Sequence, residues 1–222
     1  MSRIVVKIGG AVAAVAAADA VALADAGHEV VVVHGAGPQI SREMVRLGLV
    51  VRFVAGRRIT DRAALKVVRT SLAEVNAAVC AAVGPRALAL TGDRIGLQAT
   101  PVPELGLVGD AVPSAPQAVL AALEKGLIPV VAPLAVGPLN VNADEAAAAL
   151  AVGLGADRLL FLTDVPGVYE GGALLGSLAA DRAEALLDGG LLEGGIVPKL
   201  MAAVRAARLG VAAEIGETTV TA

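Results

Sequence analysis

Residues 3–10 read Arg3-Ile4-Val5-Val6-Lys7-Ile8-Gly9-Gly10. The run of β-branched residues predicts a buried strand. A lysine stands inside it, and two glycines follow at once. An ammonium in a strand covered on both faces is costly unless an anion meets it. A glycine pair where a strand gives way to a helix lets a ligand approach bare backbone N–H groups. Two readings are open for this stretch: a phosphate-binding turn, or a strand-end lysine at the surface followed by an ordinary Gly-Gly turn.

Outward from this stretch the pattern repeats. Residues 11–26 predict a helix stopped by Gly27. Residues 29–34 predict a second buried strand that ends in Gly35-Ala36-Gly37-Pro38, with a helix at 39–47. Strands that alternate with helices, each strand followed by a glycine turn, imply βαβ units and a parallel sheet. Further strands are expected at 87–90, 127–131, 158–162, 211–215 and 218–222. Helices are expected at 61–83 (capped by Thr60), 116–125, 143–153, 181–187 and 198–209. Residues 95–110 read as a hairpin-like excursion and 133–141 as a turn-rich connection. The expected fold class is α/β, a three-layer αβα sandwich with a mainly parallel central sheet, formed by one domain over 1–222.

Bulk properties narrow the partners. The 222 residues are 56% apolar but hold only three aromatic rings, Phe53, Phe161 and Tyr169. The core must therefore be aliphatic, and stacking on aromatic rings cannot hold a nucleic-acid strand. A net charge of −3 without a basic run argues against nucleic acid or an anionic membrane surface as partner. The lone Cys80 has no disulfide or metal-binding companion and reads as a buried structural thiol. The apolar run at 11–26 is short and interrupted by Asp19 and Asp25, so it is not a membrane span. No signal peptide is visible ahead of the first strand, and the cytoplasm is the expected compartment.

Ligands of open parallel sheets bind at the C-terminal edge of the strands. Gly9-Gly10, Gly35-Ala36-Gly37, Gly92 and Gly167 should gather there. Gly35-x-Gly37 lacks the third glycine of a dinucleotide fingerprint, since Ile40 occupies it, which disfavours a dinucleotide-dependent oxidoreductase. No Walker-type loop is present. Lys199 falls in the first turn of a predicted helix, where the dipole disfavours a cation unless an anion is near; the alternative is a solvated lysine. Asn142 or Asp144 alone would be read as an N-cap. Asn140, Asn142 and Asp144 at alternate positions would share one polar face of an extended segment. Arg57-Arg58 is either a carboxylate clamp or a surface pair. His34 ends a buried strand and reads as structural; His28 reads as exposed.

Taken together, VVKIGG at 5–10, VHGAGP at 33–38, GRRIT at 56–60, ELGLVGD at 104–110, NVNADEAA at 140–147, LTDVPGVY at 162–169 and GGIVPKL at 194–200 resemble the amino acid kinase family over nearly the whole chain. ELGLVGD, NVNAD and GGIVPKL are most similar to the branch that phosphorylates N-acetylglutamate. This resemblance implies ATP-dependent transfer to the γ-carboxylate of N-acetyl-L-glutamate in arginine biosynthesis, with Mg²⁺ carried in by the nucleotide.

It implies catalytic roles for Lys7 and Lys199, which would hold the phosphoryl group from two sides, and for Asp144, which would orient them. Gly35, Ala36, Gly37, Arg58 and Asn140 would bind the substrate. Gly9, Gly10, Asp164, Val165, Pro166, Gly167, Val168, Tyr169, Leu191, Leu192 and Glu193 would line the nucleotide site. It further implies a substrate lobe at about 1–135, a nucleotide lobe at about 136–222, and a homodimer insensitive to arginine, because the interlacing N-terminal helix of hexameric relatives is not seen. The same family includes kinases of carrier-linked aminoadipate or glutamate, and a non-catalytic nucleotide-binding regulator could share the fold. Two departures stand out. Ala36 replaces a usual glycine and would be strained at positive φ, and Gly216 joins the last two strands with no helix between them.

Overall fold

A computed structural model of the chain describes residues 1–9 and 13–222, with backbone alone for 13–15. Gly10 and the expected helix start at 11–12 therefore lie outside the described residues. In chain order the first half comprises β1 (Arg3–Ile8), α1 (Ala13–Asp25), β2 (Glu29–His34), α2 (Gly37–Arg46), β3 (Phe53–Val54), β4 (Arg57–Arg58), α3 (Arg62–Val83), β5 (Ala87–Thr91), α4 (Gly92–Ile95), β6 (Ala99–Pro101), β7 (Val108–Ala111) and α5 (Gln117–Leu123). The second half comprises β8 (Ile128–Ala132), β9 (Leu134–Ala135), β10 (Leu139–Val141), α6 (Ala143–Gly153), β11 (Arg158–Leu162), β12 (Tyr169–Glu170), β13 (Ala173–Leu174), β14 (Ser177–Ala179), α7 (Ala180–Asp188), α8 (Ile196–Arg208), β15 (Ala212–Ile215) and β16 (Thr218–Thr221).

The main sheet has eight strands in the order β14-β16-β15-β11-β1-β2-β8-β5, and every pairing but β15–β16 is parallel. It is one continuous sheet across the lobe boundary expected near residue 135. Side chains alternate faces along a strand, and β1 divides the core accordingly. Val5 joins a cluster with α5, α6, α7 and α8, whereas Ile4, Val6 and Ile8 join one with α1, α2 and α3. Two helical layers thus sandwich the sheet. The core is aliphatic as expected, with Phe161 the one ring inside it among the described residues.

After Asp144 and Glu145 in its first turn, helix α6 is apolar all round, and Ala146, Ala147, Ala148, Ala149, Leu150 and Ala151 are all buried. Small side chains let it lie close: a Cβ on Gly153 would stand 2.2 Å from the Ser114 carbonyl oxygen. The 95–110 excursion is a hairpin of β6 on β7, and β10 extends that small sheet by pairing with both β7 and β9. Two local expectations change. Asp61, not Thr60, caps α3, its carboxylate accepting from the Ala64 N–H at 2.7 Å. Helix α8 opens at Ile196, two residues before Pro198. Gly216 turns β15 into β16 at φ 55°, with the Pro166 carbonyl oxygen 2.1 Å from where a Cβ would be, so only glycine fits.

Candidate active site

Strand β1 lies where the sheet changes direction, with β11 on one side and β2 on the other. In a doubly wound sheet the crevice at such a switch point is the usual ligand site. Lys7 sits near the C-terminal end of β1, between Val33 of β2 and Phe161 of β11. By alternation it shares the face of Val5 and so meets α6. Its Nζ is 2.7 Å from Asp144 Oδ1, and the two side chains are only 8% and 7% exposed. The two opposite charges form a buried ion pair.

Asp144 is held by its own helix. Asn142 caps α6, its Oδ1 accepting from the N–H groups of Asp144 at 2.8 Å and Glu145 at 3.4 Å. A carboxylate in the first turn is also favoured by the helix dipole. Asn142 is thus the cap, and Asp144 lies within a helix, so the expected single polar face of an extended segment does not form. Asn140, Asn142 and Asp144 nevertheless all line one cavity of about 440 Å³.

Lys199 lines that cavity from the first turn of α8, with Nζ donating to the Gly195 carbonyl at 3.2 Å. Burial pushes its pKa below the ordinary lysine value. Asp144 opposes that shift, Lys7 adds to it by like charge, and Asp164 opposes it more weakly. The two ammonium groups therefore sense each other across one shared space. The N-termini of α2, α6 and α8 open on the same cavity through Gly37, Ala143 and Gly195, and Gly9 completes the rim. Helix N-termini present unpaired N–H groups and positive potential. Together with the lysines they bring positive charge to the cavity.

The substrate-side residues are placed as follows. Gly35 donates its N–H to the Ile8 carbonyl at 3.0 Å and packs on Ala143. Ala36 precedes α2 at φ −142°, ψ 24°, so the strain expected for a left-handed alanine does not arise. Gly37 and Arg58 meet directly, the Arg58 Nη2 donating to the Gly37 carbonyl at 3.1 Å and to Ser41 Oγ at 2.8 Å. Arg58 is buried and stacks 4.5 Å from the Phe53 ring centroid. The arginine pair does not act as one clamp: Arg57 turns to Asp110 and Glu145, while Arg58 lies against the cavity wall.

Sequence patterns missed the part played by Thr60. It is fully buried, and its hydroxyl accepts from Asn140 Nδ2 at 3.0 Å and donates to the Arg58 carbonyl at 2.7 Å. It thereby ties two of the expected substrate residues together; a threonine directly after GRRI was the only signal. Gly92 does not reach the cavity. Its backbone packs on the Leu134 carbonyl, 2.0 Å from where a Cβ would be.

Of the expected nucleotide residues, Gly9 and Asp164 line the cavity. Val165 donates its N–H to Thr163 Oγ1 at 3.4 Å, and the Pro166 carbonyl accepts from Glu217 at 2.8 Å. Gly167 and Val168 turn inward: Val168 is fully buried, and its N–H donates to Thr218 Oγ1 at 2.8 Å. Tyr169 is half-exposed in a two-stranded ribbon with Leu174. Leu191 and Glu193 are exposed, and Leu192 packs on the core.

His34 is fully buried beside the site but is structural, as expected. Asn76 Nδ2 donates to the Val130 carbonyl at 2.9 Å and faces His34 Nε2 at 3.0 Å, which must then accept. Burial, chiefly, lowers the His34 pKa to about 4. Two bland expectations shift slightly. His28 is partly buried and accepts from the Ser2 N–H, and Cys80 is half-buried against Asn76 Oδ1.

A family model described as "Amino acid kinase family" matches residues 2–216. The acetylglutamate kinase of Rubrobacter xylanophilus is 42% identical over 97% of this chain and 88% of its own length. The acetylglutamate kinase of Koribacter versatilis is 41% identical over 94% and 87%. Among solved structures, smu.665 from Streptococcus mutans superposes with a TM-score of 0.86 at 28% identity, covering 99% of this chain and 98% of that one. A match of this length, from both the family model and these relatives, shows that the chain belongs to the amino acid kinase family.

Proposed function

We propose that the protein transfers the γ-phosphoryl group of ATP to the γ-carboxylate of N-acetyl-L-glutamate, giving N-acetyl-L-glutamyl 5-phosphate for arginine biosynthesis. The observation that carries this reading is the placement of Lys7, Asp144 and Lys199 on one cavity in a chain so similar to acetylglutamate kinases. A γ-carboxylate with an ordinary pKa of about 4.3 is already ionised at neutral pH, so no general base is required. That agrees with the structural, neutral role of His34. The task is to bring two anions together and align them. Lys7 supplies positive charge from β1 and Lys199 from α8, and Asp144 fixes the position of Lys7. Lys199, lowered in pKa by burial, regains a favourable setting when phosphates enter.

Arg58 is the group proposed to grip a substrate carboxylate. Its Nη2 hydrogens are engaged, and Nη1 donates once to the Met44 sulfur at 3.4 Å. Nε–H and one Nη1–H then remain for a ligand. Asn140, on the same cavity, is proposed to bind the acetylamino portion. Gly35, its own N–H held by the Ile8 carbonyl, would bring the turn close to the substrate, the backbone N–H groups of Ala36 and Gly37 would face it, and that of Gly9 would face the phosphates. The wall from Asp164 to Tyr169, with Leu191 to Glu193, is proposed to hold the nucleoside. Among the described residues no cluster of three acidic, histidine or cysteine groups stands ready for a metal ion. Mg²⁺ would ride in with the nucleotide on its phosphates, where it supplies further charge neutralisation.

The same proposal includes division of the sheet into a substrate half and a nucleotide half, a homodimer, and a cytoplasmic setting. Among the described residues no helix is long and apolar enough to cross a membrane.

The test is ADP release coupled to a reporter, with N-acetylglutamate, glutamate and aminoadipate offered side by side. Turnover should be confined largely to the acetylated substrate. Preference for free glutamate, or for aminoadipate, would overturn the specificity.

A further inference from the structure

At the cavity wall formed by Arg57, four charged residues from four distant segments close on one another. Arg57 of β4 donates Nε to both Glu145 oxygens of α6, at 2.8 and 3.2 Å. Its Nη2 lies 3.1 Å from Asp110 Oδ1 of β7. The same Asp110 oxygen accepts from Arg205 Nη1 of α8 at 2.6 Å. All four side chains are partly shielded, between 15% and 35% exposed.

Each member sits beside a proposed site residue. Arg57 precedes Arg58 on β4, and Glu145 follows Asp144 on α6. Arg205 shares α8 with Lys199. Asp110 is on β7, whose neighbour β10 carries Asn140 in register with Val108. The two cations and two carboxylates balance, so the set is complete without a ligand. Burial, above all, raises the Glu145 pKa, while Arg57 draws it back down.

We propose that Asp110 is a positioning residue, the hub of an ionic frame that sets the Lys199 helix against the segments carrying Arg58, Asp144 and Asn140. The inference rests on the catalytic reading above. The frame's task is the distance between the donor phosphoryl group held from α8 and the acceptor held from β4. Loss of Asp110's charge leaves Arg57 and Arg205 facing each other with only Glu145 between them, and the two walls part. A misplacement of about 1 Å between reacting groups can cost on the order of 100-fold in rate while each substrate still binds.

The test compares Asp110→Asn, Arg205→Gln and the double variant at a temperature where each is fully folded. Each single variant should lose roughly 10- to 100-fold in kcat, with KM for ATP and N-acetylglutamate within about threefold. The double variant should be no worse than the poorer single, because both break one contact. Unchanged kcat in Asp110→Asn, losses that multiply in the double variant, or a rise in KM alone would each overturn the proposal. Amide hydrogen exchange in the ligand-free protein gives a readout independent of substrate. Residues 200–208 of α8, whose N–H groups are paired within the helix, should exchange roughly fivefold faster or more in Asp110→Asn, with β1, β2 and β11 unaltered; equal exchange in α8 would also overturn it. A wild-type chain inactive on N-acetylglutamate would instead sink the proposed substrate, and the exchange result would then decide the frame.

Discussion

Replacing Lys7 and Asp144 singly and together separates what the pair does for the fold from what it does for the reaction. Their charged atoms are 2.7 Å apart and almost fully buried. Removing one partner leaves the other charge unanswered in a low-dielectric setting, so Lys7→Met and Asp144→Leu should each destabilise by about 3–5 kcal/mol. Removing both also removes the lone charge. Apolar groups of similar volume should then bring the double variant within roughly 2 kcal/mol of the parent.

Turnover should not follow this pattern. Lys7 faces the cavity as well as Asp144, and loss of one preorganised donor to a transferring group costs about 100- to 1,000-fold. No cation returns in the double variant. Urea midpoints report the stability, and ADP release at saturating substrates, below each variant's melting range, reports kcat. Recovery of stability without recovery of kcat is the expected result. If kcat returns along with stability, the pair is structural and the reasoning fails. Asp144→Asn adds a check on Lys199. Burial depresses the Lys199 pKa, and Asp144 is the main group opposing it. Without that charge Lys199 loses its proton at lower pH, so the alkaline limb of kcat should move toward neutrality.

His34 is neutral in the folded protein, its pKa lowered from 6.5 to about 4. Its contribution to stability is therefore full above pH 6.5 and is lost as pH falls toward 4, by about 3 kcal/mol in all; urea midpoints from pH 7 to 4.5 should fall in the parent and fall less in His34→Gln. Gly92→Ala drives a Cβ into the Leu134 carbonyl and should cost about 1–3 kcal/mol in urea unfolding, with kcat unchanged in the cold because Gly92 is outside the cavity. Arg58→Lys replaces a planar fork by a point charge; KM for N-acetylglutamate should rise roughly tenfold with KM for ATP unchanged in initial-rate assays, and a rise in KM for ATP instead would place Arg58 on the nucleotide.

Local sequence determined which segments are strands and helices. The β-branched runs at Arg3–Ile8, Glu29–His34 and Arg158–Leu162 left little alternative to buried strands, and the alanine run at Ala143–Gly153 could only be a buried helix. It also determined the suspicion around Lys7, because a cation inside such a run needs a partner whatever the fold. What local sequence could not decide was the partner. Asp144 is 137 positions away by numbering, and its alternation with Asn140 and Asn142 suggested an extended face that the Asn142 cap instead converts into a helix start. Likewise Arg57 and Arg58 read alike on paper. Both line the cavity, yet a two-residue strand sends neighbouring side chains to opposite sides, and so Arg58 bonds Gly37 and Ser41 while Arg57 joins an ion network whose members are 35 to 148 positions apart. Short-range patterns carry propensity and period, whereas pairing of charges is a long-range matter settled only when the sheet brings its strand ends together.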